Sequence, residues 1–398
     1  MITLDEPTAR RDQSIDQEII GVLNRLCRDL EITPEMFSRA KERYESIAAY
    51  LQQADSPVQR FRPDIYPQGS INLGTTVKPR KTDEFDVDVI CQLDVAERRP
   101  TTAFKQLIFA RLKQRGIYTL RLMNRCIRVQ YANEFHIDIT PAIPDRDQGP
   151  ENILVTDKEL GCWKESNPKD YKSWFEEIAE LQPDLYYENR ELMRKFAAAE
   201  PLPAPHFTKP ILHRVIQLMK RHRDVMFDGD KDAPISAIIT TLAAQSYAHH
   251  VKGNRFSSQV HFIRAVVASM PQFIVRVNGT QSVPNPANSL ENYADKWAAK
   301  PQRRDAFYRW HNRVVIHFNT ILDSVSRGKD VLFEELSAAY GRDRVKKAAV
   351  QDAELRKTLL DQHKLGVTKR SGFTAPMETA AKIGSAVIAV AKHTNFGA

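Results

Sequence analysis

The sequence predicts an α+β fold in two lobes, a mixed β-sheet lobe followed by a helical one. Two short segments alternate strictly, Phe85, Val87 and Val89 against Asp86 and Asp88, and Ile137 and Ile139 against Asp138. That is the period of strands with one apolar and one polar face. From Lys209 onward the apolar residues recur every three to four positions, as in Ile211, Val215, Leu218 and Met219, the period of helices packed on one side. With 398 residues and 42% hydrophobic content the chain can form two domains or one large bilobal unit.

The elements follow in order. Residues 1–13 are polar and expected to be loose, and Asp16 to Leu30 carries Ile19, Ile20, Leu23, Leu26 and Cys27 on one helical stripe. Thr33-Pro34 reads as an N-cap followed by proline at the first helical position, opening a helix to about Gln53 with Phe37, Ala40, Tyr44, Ile47 and Leu51 inward. The core of the sheet lobe runs from about Phe61 to Asn152. It holds the 66–90 block, a helix over Thr101 to Arg115, and strands near Tyr118 to Leu122, Cys126 to Tyr131 and Phe135 to Thr140, with a turn at Asn133-Glu134. Helices are expected on one side of that mixed sheet. Pro-rich stretches at Pro141 to Pro150 and Pro201 to Pro210 read as crossings between lobes. After about Gln362 the chain changes character: Val367 to Phe373 reads as a linker and Pro376 to Ala391 as a small-residue helix. The predicted organisation is therefore 1–60, N-terminal helices; 61–205, sheet lobe; 206–361, helical lobe; and 362–398, a flexible tail.

The chemistry is concentrated between Tyr66 and Ile90, where a Gly69-Ser70 turn and a Gly74-Thr75 pair precede the strand bearing Asp86 and Asp88. Alternate residues of a strand lie about 6.5 to 7 Å apart, so two such carboxylates can reach two cations about 3.5 to 4 Å apart. Asp138, in its own alternating segment, is the third acidic group expected on that face. An ionised carboxylate on a half-buried sheet must be paired or bound to metal. The competing reading makes Asp83, Glu84, Asp86 and Asp88 a solvated edge and Asp138 an exposed residue. The Gly-Ser turn upstream and the later Asp138 weigh against it.

Gly69-Ser70, Gly74-Thr75, Asp86-x-Asp88 and Asp138 resemble the signature of the DNA polymerase beta-like nucleotidyltransferases. Three further segments, 211–224, 235–242 and 285–297, resemble the helical lobe of the bacterial cGAS/DncV-like nucleotidyltransferases (CD-NTases), most closely clade D, over roughly residues 15–340. The resemblance implies a bilobal polymerase beta-like fold braced by a long N-terminal helix. It also implies Asp86, Asp88 and Asp138 as catalytic residues and ligands of two Mg2+ ions, with Mn2+ as an alternative, Asp138 helping to deprotonate the attacking ribose hydroxyl. Gln68, Gly69, Ser70, Lys220 and Ser236 would bind nucleotide. Gly69 would admit the triphosphate close to the backbone, its amide and the Ser70 hydroxyl donating to phosphate. Lys220 is otherwise a solvated helix residue, Ser236 otherwise an N-cap. Gly74 and Thr75 read as shaping the loop. Ala237 stands where the animal relative has a base-stacking tyrosine, leaving Tyr247 and Tyr293 as weak substitutes. His136 shares the Asp138 face and reads as a structural hydrogen-bonding partner, Mg2+ preferring oxygen. Asn285 to Trp297 reads either as a capped turn and helix anchored by Trp297 or as a nucleotide contact.

Composition is compatible with this reading. No run of 18 apolar residues and no signal-like start occurs, so a cytoplasmic protein without a membrane is expected. Cys27, Cys91, Cys126 and Cys162 lack zinc or disulfide spacing and read as reduced, buried thiols. The net charge of +8 fits a polyanionic ligand. Arg98-Arg99, Lys220 to Arg223, Arg303-Arg304 and Lys346-Lys347 lack the aromatic interleaving of single-strand binders, and apart from Lys220 they read as solvated faces. Nucleic acid is therefore not required.

The expected activity is synthesis of a cyclic di- or trinucleotide second messenger from NTPs, ATP foremost, with pyrophosphate release, in anti-phage (CBASS) defence. The alternatives are an RNA-tailing or tRNA-maturing nucleotidyltransferase and a catalytically silent nucleic-acid sensor. The resemblance adds a possible E1/E2-like enzyme acting on Gly397-Ala398.

Overall fold

Seven strands form one mixed sheet: β1 (Asp64–Pro67), β2 (Phe85–Gln92), β3 (Thr119–Leu122), β4 (Ile127–Tyr131), β5 (Phe135–Pro144), β6 (Ile153–Asp157) and β7 (Cys162–Ser166). Their order is β1-β2-β5-β4-β3, with β6 and β7 continuing from the far end of β5. Only β2 and β5 run parallel. The computed structural model describes residues 19–80, 84–95, 100–116, 119–131, 135–157, 162–185, 209–324, 327–361, 365–368, 374–376 and 387–389.

Eleven helices accompany the sheet among the described residues: α1 (19–30), α2 (Pro34–Leu51), the single turn α3 (Gly69–Asn72), α4 (Thr101–Gln114), α5 (Pro168–Glu180), α6 (Ile211–Phe227), α7 (Ser236–Gly253), α8 (Gln259–Ser269), α9 (Pro301–Ser324), α10 (Lys329–Tyr340) and α11 (Arg342–Asp361). Thr33 caps α2 by accepting from the Met36 amide, with Pro34 in the first turn, as the Thr-Pro pair predicts.

Two cores result. Phe85, Val87, Val89, Ile127, Val129, Ile137 and Ile139 bury one face of the sheet against Ala40, Ile47 and Leu51 of α2 and Phe104, Ile108 and Leu112 of α4. Full burial of each such side chain contributes about 1.5–3 kcal/mol, and it commits the acidic alternates to the opposite face. The second core joins α6 to α10 with Leu23 and Leu26 of α1 and Phe175 and Ile178 of α5. The first two helices thus serve different cores.

Several expectations are corrected. Phe37 is 46% exposed, because Met36, four residues before Ala40, takes the inward position. Pro141 to Pro144 do not cross between lobes: they end β5, and Ala142, Ile143 and Pro144 pair with β6. Residues 285–297 form no helix, since Pro284–Asn285 and Asn288–Asn292 make a hairpin followed by turns. Asn285 stabilises it by accepting from the Ala287 amide, while Trp297 is anchored in the core. In the tail, Leu365–Thr368 pairs with Thr374–Pro376 and with Val387–Ala389, so β-branched residues read as linker and helix are strands. Cys162 is exposed, unlike the other three cysteines. The turn at Asn133-Glu134, residues Pro201 to Thr208, Arg98-Arg99 and Gly397-Ala398 lie outside the described residues.

Residues 74–80 have no regular structure, and four of their carbonyls take partners from the helical half. Lys220 Nζ donates to the Thr75 carbonyl at 3.2 Å, Gln217 Nε2 to that of Thr76 at 3.1 Å and Arg344 Nη2 to that of Pro79 at 3.2 Å, while Arg221 Nη2 donates to that of Lys78. Gln217, Lys220 and Arg221 are spaced to share one face of α6. Arg221 is 1% exposed and Arg223 half-buried, which corrects their reading as a solvated face: α6 is covered by this segment on one side and by α10 on another.

Candidate active site

Strand register assembles the acidic residues. Asp88 lies directly opposite Asp138, and Asp86 opposite His136, across the parallel β2–β5 pair. The antiparallel β4–β5 pair sets Arg128 opposite Asp138 and Gln130 opposite His136. All six therefore project from the face that α2 and α4 do not cover.

Gly69 closes one side of this face. Its φ is +64°, and a Cβ built there would lie 2.5 Å from Asp88 Oδ2. The preceding residue is tied down as well, the Gln68 amide donating to the Asp88 carbonyl at 2.8 Å. Both the conformation and the contact require glycine. The Gly-Ser turn proves to be α3, a single helical turn between β1 and the 74–80 segment.

The charges are unequally placed. Burial and the neighbouring Asp86 and Asp138 push the Asp88 carboxyl up to about 7. Burial would also raise Asp86, but the His136 ring, paired with it through Nε2, and the Arg128 cation outweigh burial and hold it below the usual carboxylate range. On His136 burial acts downward, and the Asp86 carboxylate overrides it, so the ring is raised. Its other nitrogen stands 4.0 Å from Glu84.

Arg128 is a site residue that sequence reasoning missed. Its Nε donates to Asp138 Oδ1 at 2.8 Å and its Nη2 to Oδ2 at 2.6 Å, a bidentate pair. A signal was present: Ile127 and Val129 flank it in the alternating pattern of β4, and antiparallel pairing of β4 with β5 sets residue 128 opposite 138.

Lys220 and Ser70 meet on the 74–76 segment. Lys220 is 4% exposed and also donates to Thr75 Oγ1 at 2.9 Å, while Thr76 Oγ1 donates to Ser70 Oγ at 3.3 Å. Burial and the nearby Arg223 push the Lys220 ammonium down to about 7. Ser236 is the first residue of α7 and not its N-cap, a position held by Ile235 without a side-chain bond. Its hydroxyl accepts from Arg223 Nη1 at 2.9 Å. Tyr247 is fully buried with its hydroxyl on the Leu181 carbonyl, so it presents no surface to a base. Tyr293 packs edge-on against Tyr171.

The donor set fits a hard cation: three carboxylates share one face, and the one between two others is raised by burial and by their charge, a surplus that a divalent ion relieves. Among the described residues no three His, Cys, Asp or Glu side chains are positioned to share one ion as they stand. Arg128 and His136 occupy two of the carboxylates. A carboxylate offers about four acceptor positions, so these pairings leave room for further ligation.

Residues 19–178 match the Second Messenger Oligonucleotide or Dinucleotide Synthetase domain. The chain is 31% identical over 304 residues to a c-di-GMP synthase of Roseivirga ehrenbergii, covering 75% of this chain and 78% of that protein. It is 25% identical over 424 residues to the cyclic dinucleotide synthase CdnG of Bradyrhizobium diazoefficiens, covering 98% of each. The solved structure of that CdnG in complex with GTP has the same fold, with a TM-score of 0.67 at 20% identity over 83% of this chain and 96% of the other. Among the described residues no helix is long and apolar enough to cross a membrane. With this identity over three quarters of its length and a polymerase beta-like fold, the chain belongs to the bacterial CD-NTases and is a nucleotidyltransferase.

Proposed function

We propose that this enzyme joins ribonucleoside triphosphates into a cyclic dinucleotide or trinucleotide second messenger, in the setting of anti-phage defence. The observation that carries the reading is the alignment of Asp88 with Asp138 across two parallel strands, with Gly69 against the Asp88 carboxylate. In each step a ribose hydroxyl oxygen bonds to the α-phosphorus of an NTP, the bond from that phosphorus to the β-phosphate bridge breaks, and pyrophosphate leaves. Asp138 takes part in removing the hydroxyl proton, with Arg128 orienting its carboxylate. Asp86, Asp88 and Asp138 would hold two Mg2+ ions, or Mn2+, which when bound neutralise the triphosphate and acidify the hydroxyl. Gln68, Gly69 and Ser70 line the approach of the triphosphate, Lys220 supports that wall through Thr75, and Ser236 at the start of α7 is a further phosphate contact.

The same carboxylates serve each bond, so the linear intermediate has to rebind with its free hydroxyl at the acceptor position. The names of the relatives, a c-di-GMP synthase and a CdnG bound to GTP, support a guanine nucleotide as substrate beside the ATP expected from the sequence.

Purified protein incubated with Mg2+ and labelled NTPs, then with phosphatase, tests the reading. A small phosphatase-resistant product is expected from the native chain and none from an Asp86→Ala/Asp88→Ala double variant with a normal melt. A long ladder would indicate an RNA-extending enzyme instead, and no product from any NTP would remove the synthase reading.

A further inference from the structure

A cleft of about 270 Å3 lies on the same sheet face as the aspartates, between the sheet, the start of α7 and the 284–292 hairpin. The register fixes the face: Asp138, Thr140 and Ala142 alternate along β5, Ala142 pairs with Val155, and Val155 with Lys164. Val155 and Lys164 both line the cleft. Arg125, also lining it, sits in the bend that leads into β4, three residues before Arg128. On the far wall are Pro234 and Ile235, the two residues just before Ser236. The cleft thus opens on the face that carries Asp138, beside the start of α7.

Its walls and floor differ in chemistry. Ile235 and Leu290 are large apolar side chains left 44% and 53% exposed, and both line the cleft. They offer a slot for a flat ring. The floor is a ring of charges: Arg125 Nε on Asp157 at 3.1 Å, Arg125 Nη2 near Asp295 Oδ2 at 3.7 Å, and Lys164 on the same Asp295 oxygen. Both cation contacts fall on Oδ2, which leaves Oδ1 of this partly exposed carboxylate able to accept from a ligand. Glu291 is not available in this way, since Ser166, the Asn167 amide and Asn285 already donate to it.

We propose that this cleft binds the base of a guanine nucleotide, with Asp295 accepting from its N1–H and 2-amino group and Arg125 or Lys164 donating to O6. A guanine edge presents two adjacent donors beside an acceptor, which matches a carboxylate flanked by cations. Adenine presents an acceptor nitrogen where the carboxylate needs a donor. The assignment rests on the synthase reading above for the choice of nucleotides.

Equilibrium binding of GTP, ITP and ATP to the full chain, alongside product formation, tests it. ITP lacks the 2-amino group and should bind about tenfold more weakly than GTP, the loss of one charge-assisted bond. Asp295→Asn should weaken GTP by a similar factor or more and bring GTP and ITP level. Leu290→Trp, on an exposed position that leaves the ion network intact, should block GTP by filling the slot. Unchanged GTP-to-ITP selectivity in a folded Asp295→Asn protein, or wild-type GTP binding by Leu290→Trp, would overturn the proposal; if Asp295→Asn fails to fold, Leu290→Trp alone decides. Base-selective binding with no cyclic product would uphold the cleft and remove the synthase reading. Cyclic product from GTP that neither variant affects would do the reverse.

Discussion

Arg128 grips both oxygens of Asp138, at 2.8 and 2.6 Å, from the directly opposing position on the neighbouring strand. The pair sets the plane of a carboxylate that is only 8% exposed. Arg128→Ala removes a charge-assisted bond of about 1.5–3 kcal/mol, so turnover should fall about 10- to 100-fold while KM for NTP changes little. Arg128→Lys, unable to form two parallel bonds, should recover only part of the loss. Steady-state kinetics of product formation separate this from a surface ion pair, whose removal would leave kcat untouched.

Gly69→Ala is expected to act as a catalytic lesion more than a folding one. The left-handed backbone costs alanine about 1–2 kcal/mol, and the added methyl lies 2.5 Å from Asp88 Oδ2, so the carboxylate has to move. Activity should drop by two orders of magnitude or more with a melt lowered by only a few degrees. Wild-type turnover in Gly69→Ala would mean that Asp88 tolerates displacement.

The proton on Asp88 makes a stability prediction. Its folded pKa is about 7 against an ordinary value of 3.8, so the folded state keeps a proton that the unfolded chain loses. The penalty is absent at low pH, grows as pH rises through the window from about 4 to 7, and is complete above it. In chelator, Asp88→Asn should therefore melt higher than wild type at about pH 8, and the difference should shrink toward pH 5. Adding Mg2+ to wild type at about pH 8 should close the same gap. A gain independent of pH would show that repulsion among the carboxylates is not its source.

Lys220→Ala removes the two bonds to Thr75 and leaves that carbonyl without its cation. Apparent NTP affinity or rate should decline by tens of fold, about 1.5–3 kcal/mol, less than for the aspartates. Should nucleotide titrations of Lys220→Ala and wild type superimpose, the loop must hold its shape by other contacts.

Strand periodicity made the acidic face legible, because alternation of Phe85, Val87 and Val89 with Asp86 and Asp88 leaves one orientation that buries the apolar set. Thr33-Pro34 was legible for a similar local reason, a cap and a fixed φ. What escaped depended on partners distant in sequence. Phe37 and Met36 are equally apolar, and only the packing of α2 decides between them. Ser236 has the side chain of a cap, but Arg223 takes its hydroxyl. Arg128 needed the pairing of β4 with β5 before its place opposite Asp138 could be known. Residues 285–297 have turn-forming asparagines, and neighbours such as Asn167 and Ser166 draw them into a hairpin joined to β7.

The segment 74–80 has a consequence for how this polypeptide can be dissected. Its carbonyls at Thr75, Thr76, Lys78 and Pro79 are satisfied by Lys220, Gln217, Arg221 and Arg344, none of which lies in the first half of the chain. A fragment ending before α6 would carry the whole sheet with Asp86, Asp88 and Asp138, yet it would expose four orphaned acceptors in the stretch that follows Ser70. Such a fragment could keep its secondary structure by circular dichroism and still have no fixed wall for a triphosphate. Supplying the second half as a separate polypeptide should restore that wall, so complementation between the two pieces is a property written into four backbone oxygens.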